Sequence, residues 1–167
     1  MLTTSLTSVL WAAMAAAGLA PSTTGTTWQT DYSIAARMAA ENKKPMAVFI
    51  GHGKAGQTSL VTNGLGDAET KALSTSYVCL YIDADTESGK KLATTFEINE
   101  GVVISDRSGG LQAVRHEGPV SKTELNDYLT RYSEPTRVVT TTEYGGRARR
   151  PIINTIQNVT GFLSGSS

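Results

Sequence analysis

The sequence predicts one α/β domain built on a mixed sheet of about four central strands with helices on both faces, and three observations carry that expectation. Two short apolar runs rich in β-branched and aromatic side chains, "MAVFI" at 46–50 and "YVCLYID" at 77–83, have the length of strands rather than of buried helices. The segment between them carries a helical crossover, and a strand-helix-strand unit demands a parallel pair. Further on, "GVVIS" and "LQAVR" flank "DRSGG", a turn-forming stretch of hairpin length, which adds an antiparallel pair.

The elements follow in order. Asp31 is placed to cap a helix running to about Asn42, with Ile34, Ala35, Met38 and Ala39 at helical spacing and Lys43-Lys44-Pro45 closing it. After the first strand comes the glycine-rich loop "GHGKAGQ" at 51–57. Asn63-Gly64 and Gly66 then divide the crossover into two short helical pieces, the second expected to be capped by Asp67. In the strand at 77–83, alternation assigns Val78, Leu80 and Ile82 to one face and Tyr77, Cys79 and Tyr81 to the other. Leu92 and Phe96 mark a modest helix within 88–98. Ser121 and Glu124 form a capping box, and Leu125, Tyr128, Leu129 and Tyr132 share one helical face behind it.

Bulk composition narrows the function classes. A chain of 167 residues with 15 basic and 15 acidic side chains is of single-domain size and has no global field to favour nucleic acid. One cysteine, Cys79, excludes an intramolecular disulfide and any two-cysteine zinc or redox site. Residues 1–20 hold no charged side chain, and their apolar stretch "SVLWAAMAAAGLA" reads as the hydrophobic region of an export signal, although no Lys or Arg precedes it and Pro21 follows the natural cleavage point after Ala20. The stretch is too short and too alanine-rich for a membrane span. Residues 21–27 read as a linker, 28–134 as the folded domain, and 135–167 as a basic, Thr-rich tail.

Within 28–134 the order and spacing of several stretches resemble the thioredoxin-like fold family, in particular its secreted bacterial branch. The matching residues are Trp28, Ala35, Ala39, Lys44-Pro45, "MAVFI", "CLYIDAD", "LATTFEI" and the hairpin "VVISDRSGGLQAVRHEG" ending at Gly118. The resemblance implies a three-layer sandwich. It also implies a Trp-Cys-x-x-Cys loop after the first central strand and a cis-proline before the hairpin. This sequence has "GHGKAGQ" and "INEGVV" at those places, with no cysteine in the first and no proline in the second. A cis peptide without proline costs about 3 kcal/mol or more, so a trans bond is expected at Glu100-Gly101. Thiol-disulfide exchange through the loop is chemically excluded.

The loop then admits three readings. Backbone amides of 53–57 with Lys54 could hold an anion, although the spacing fails the P-loop pattern. His52 could act as a general base in a non-redox enzyme, although no Ser, Cys or Asp adjoins it in sequence. The favoured reading is a solvated connection whose glycines supply positive φ and whose His52, Lys54 and Gln57 are available as partner contacts. Cys79 is expected to pack as a small hydrophobe. His116 is expected at the surface. Asp83, Asp85, Thr86 and Glu87 read as an acidic turn, since the twelve-residue calcium-loop pattern is absent.

From Pro135 onward four arginines stand against Glu143, a net +3 that leaves −3 on the rest of the chain. Pro151 suits a helix start, with Ile152, Ile156, Val159 and Leu163 along one stripe. Arg147, Arg149, Arg150, Ile152 and Ile156 are the candidate tail contacts, and Asn158-Val159-Thr160 is a glycosylation sequon. The sequence therefore favours an exported, non-redox thioredoxin-like binding or scaffold module that works with a protein partner and needs no metal or cofactor. The alternatives are a non-redox enzyme or anion-binding protein using 51–57, and a structural subunit anchored in an assembly by its tail.

Overall fold

A computed structural model describes residues 25–147. The apolar segment at 1–20, expected to be an export signal, and the tail residues Arg149, Arg150, Ile152 and Ile156 lie outside those residues.

The protein folds around Met46–Gly51 (β2), which is buried along its whole length. It pairs in parallel with Val78–Asp83 (β3), as the crossover argument requires, and antiparallel with Gly101–Ser105 (β4), a pairing that only the tertiary structure reveals. Gln112–Glu117 (β5) completes the hairpin with β4. Two strands join that the apolar patterning does not announce. Trp28–Gln29 (β1) adds in parallel to β3, and Glu143–Gly146 (β6) adds in parallel to β5. Among the described residues the sheet thus has six strands in the order β1-β3-β2-β4-β5-β6, rather than about four. The extra strands are short: a two-residue strand carries no period, and "EYGG" reads as a turn.

Each sheet face has its own core. Tyr32–Asn42 (α1) and Glu87–Phe96 (α4) cover one face, where Ala35, Ala39 and Ala93 meet Val48, Ile50, Val78, Leu80 and Ile82. The short Gly56–Ser59 (α2), Asp67–Ser76 (α3) and Lys122–Ser133 (α5) belong to the other, where Leu60, Leu73, Leu125 and Leu129 enclose Phe49, Cys79 and Tyr81. The alternation expected along β3 is realised residue by residue. Trp28 packs edge-on against Phe49 with ring centroids 4.9 Å apart, which ties the β1 edge to the core.

Caps explain where the helices begin. Asp31 accepts a hydrogen bond from the Ile34 amide at 3.0 Å, and Ser121 and Glu124 form the expected reciprocal box. One cap differs from expectation. α3 starts after Gly66, whose amide donates to the Glu69 carboxylate at 2.9 Å, while Asp67 is the first helical residue. A second difference concerns His116, which is buried on β5 instead of lying at the surface. Its ring nitrogens sit 3.3 Å from the Tyr128 hydroxyl and 3.3 Å from the Pro119 carbonyl, partners that only α5 and the turn after β5 bring to it.

The Arg107 guanidinium, in the β4-β5 turn, joins the ends of two helices. It donates to the Lys43 carbonyl at 2.8 Å and to the Ser133 carbonyl, satisfying acceptors that a helix terminus leaves open. We expect Arg107→Ala to cost about 1–2 kcal/mol, the scale of charged hydrogen bonds lost at partly solvated acceptors. Urea denaturation would read it as a lower midpoint with an unchanged slope.

Candidate functional site

The pairing of β2 sets the geometry. Its parallel register with β3 ends at Gly51 opposite Asp83, and its antiparallel register with β4 places Ile50 opposite Gly101. The loop after β2, the turn after β3 and the Glu100 entry to β4 therefore share one rim. From this rim the chain leaves β2 for the α2–α3 face and leaves β3 for the α4 face. Diverging connections at the carboxyl ends of adjacent parallel strands open a crevice where α/β proteins commonly bind ligands.

At the rim the acidic turn braces the glycine loop. The Gly53 amide donates to Asp83 Oδ1 and to Asp85 Oδ2, both at 3.0 Å, and Asp83 Oδ1 also accepts from the Asp85 amide at 3.0 Å. Gly53 itself adopts φ +75°, a conformation that disfavours any residue with a Cβ. From below, the Tyr81 hydroxyl donates to the Gly53 carbonyl at 2.5 Å. Gly56 lies against that hydroxyl so closely that an added Cβ would collide with it. Two acids, a tyrosine and two glycines thus hold one backbone conformation.

The expected contact residues do not form one uniform surface. His52 is exposed, and its Nδ1 lies 2.8 Å from Asp85 Oδ1. Lys54 is exposed and lines a cleft of about 400 Å³ with Thr30, Tyr81, Asp83, Ser88 and Leu92. Gln57 is half-buried in α2, with its Oε1 shielded from solvent and unpartnered among the described residues. Arg147 is the one tail candidate within the described residues, and its guanidinium reaches within 4.0 Å of Glu100 at the same rim.

This geometry bears on each chemical reading. For an anion site, the Gly53 amide is already taken by two of the protein's own carboxylates, and α2 is one four-residue turn with no side-chain cap. For general-base chemistry, the fold supplies what the local sequence lacked: Asp85, 33 residues away, pairs with His52. Among the described residues, no group of three His, Cys, Asp or Glu side chains is arranged to hold a metal ion. Cys79 lies in the core with its Sγ 3.7 Å from the Leu73 carbonyl, and burial pushes its pKa up to about 12. It is not a thiolate at neutral pH.

The sequence singles out His52 and Lys54 as candidate contacts and reads Asp83 and Asp85 only as an acidic turn, and it marks neither Tyr81 nor Glu100 as belonging to this rim. The available signal was an Asp-x-Asp ending one parallel strand while a glycine loop ended its neighbour.

The His52–Asp85 pair carries a definite pH dependence. Hydrogen bonding to Asp85, helped by the charges of Asp85, Glu100 and Asp83, raises the His52 pKa above its ordinary 6.5. The His52 hydrogen bond in turn holds Asp85 below its ordinary 3.8. The Asp85 contribution is present above 3.8 and is lost as pH falls through its lowered value. The His52 contribution is complete below 6.5 and is lost as pH rises through its raised value. In proton NMR titrations His52 should titrate above 6.5 in the wild type and move back down in Asp85→Asn. The same variant should speed hydrogen exchange at the Gly53 amide, whereas an unchanged His52 midpoint would show that the pair does not persist in solution.

Among solved structures, the chain is similar to the solution structure of a thioredoxin from Thermus thermophilus. The identity is 18%, the TM-score 0.51, and the match covers 64% of this chain and 85% of that one. No family model and no curated protein matches the sequence. At that identity the likeness bears on architecture alone. Together with the sheet order and two-faced helix packing, it identifies this chain as having a thioredoxin-like fold.

Proposed function

We propose that the chain is a non-redox thioredoxin-like module that binds a protein partner at the rim formed by 52–55 and 83–86, and that it is exported by its apolar N-terminal segment. The observation that carries this reading is the bracing of Gly53 by Asp83, Asp85 and Tyr81. A loop held in one conformation loses less entropy on binding than a free one, so rigid display favours recognition. The exposed His52 and Lys54 then offer polar contacts beside the cleft, while the chain's one thiol stays buried. No helix among the described residues is long and apolar enough to cross a membrane.

One observation favours a second reading. The 2.8 Å contact between His52 and Asp85 is the spacing of an oriented histidine base, and it supports a non-redox enzyme at the same rim.

One measurement tests the non-redox assignment that both readings share, and two variants then separate them. The full-length chain should show no insulin-disulfide reduction, and Cys79→Ser should leave that readout unchanged, whereas robust turnover would sink the non-redox assignment. A His52→Ala/Lys54→Ala double variant should lose at least tenfold in recovery of the partner from native extract while keeping the wild-type thermal midpoint. Equal recovery would remove the rim from the interface. If the rim is a general-base site instead, His52→Ala alone would abolish turnover of a hydrolysable substrate and leave partner recovery intact.

A further inference from the structure

The last strand among the described residues is read by the domain as a peptide is read by a binding groove. β6 lies in parallel against β5, with Val114 opposite Glu143 and Glu117 opposite Gly146. Specific contacts run along its length. The Thr142 hydroxyl donates to the Gln112 carbonyl at 2.8 Å. The Glu143 carboxylate accepts from Arg131 Nη1 at 2.6 Å and from the Tyr132 hydroxyl at 3.0 Å, both on α5. The Arg115 guanidinium stands 5.7 Å from the centre of the Tyr144 ring. At Gly145 a Cβ would come within 2.5 Å of the His116 ring and the Tyr128 hydroxyl, so the groove requires a residue without one. Gly146 has φ +60°, and the Arg147 amide donates to the Glu117 carbonyl at 3.0 Å.

The connection to this strand is different in kind. Of residues 134–141, all but Val139 are exposed, and Val138 is 79% exposed. Fully extended, that segment reaches roughly 26 Å. A closely read strand on an exposed tether satisfies the physical requirement for exchange between copies: every contact made within one chain can be remade between two. Main-chain pairing supplies the affinity, and the pockets for Glu143, Tyr144 and Gly145 supply the selectivity.

We propose that residues 142–147 form an exchangeable strand, and that the groove between β5 and α5 accepts this same segment from a second copy of the chain. The occupant is a second copy because this chain's own segment is the one ligand seen to satisfy the groove, with the Arg131–Glu143 ion pair setting its charge complementarity. The closed monomer dominates in dilute solution, since a tether of this length gives the internal strand an effective concentration on the order of millimolar.

The test uses two full-length charge-reversed variants, Arg131→Glu and Glu143→Arg. Each breaks the ion pair within its own chain, and mixing restores both pairs only in an exchanged dimer. Expected is a mixed dimer, by native mass spectrometry after brief warming, at a concentration roughly tenfold or more below the wild-type threshold, with the advantage lost in high salt. A mixture of folded variants that dimerises no more readily than wild type overturns the proposal. If either variant fails to fold, isotope-filtered NMR on mixed labelled and unlabelled wild-type chains at about 1 mM decides the matter. Contacts between the Tyr144 ring of one copy and the Arg115 side chain of the other are expected. Their absence, in a monomer or in a dimer joined elsewhere, overturns it.

Discussion

β2 is the constraint on which the other parts depend. It is buried over all six residues and paired on both edges, so its backbone groups are satisfied by the ladder and, at Met46, by the Ser105 hydroxyl, while its side chains feed both cores. Phe49 anchors one face and Ile50 the other, each fully buried and worth about 1.5–3 kcal/mol by transfer out of water. Because a one-residue slip would exchange those faces, the register with β3 and β4 is strongly specified. That register alone delivers His52, Asp83 and Glu100 to one rim. The site is a consequence of how the core is packed.

The chemistry of the rim depends on where the charges are spent. A glycine loop after a strand invites an external anion, but here Asp83 and Asp85 already occupy the Gly53 amide. What the arrangement supplies is a fixed loop shape with His52 and Lys54 displayed on it. The same economy governs the cysteine: placed within β3, Cys79 contributes volume to the core and is withheld from reaction.

Most of the architecture was legible because amphipathic period and cap chemistry are local. Ser121 and Glu124 are three residues apart, Asp31 and Ile34 likewise, and the alternation along β3 needs only its own neighbours. The misreadings share the opposite property. β6 carries no apolar period because its glycines are selected by close approach to His116, Tyr128 and Glu117. His116 looks like a surface residue until α5 brings Tyr128 to it and β6 closes over the ring. Gly66 caps α3 through the Glu69 side chain, which makes glycine rather than aspartate the boundary.

By itself the sequence determined the α/β class, the parallel and antiparallel pairs, the two faces of β3 and the lack of any thiol in the glycine loop. These follow from side-chain identity and spacings of a few residues. The tertiary structure alone decided that Asp85 partners His52 across 33 residues of chain, that Gly53 is braced rather than open, and that the segment after α5 returns as an edge strand. Those outcomes depend on which distant residues a shared register places within hydrogen-bonding distance, and that distance is set by the packing of β2 between its neighbours.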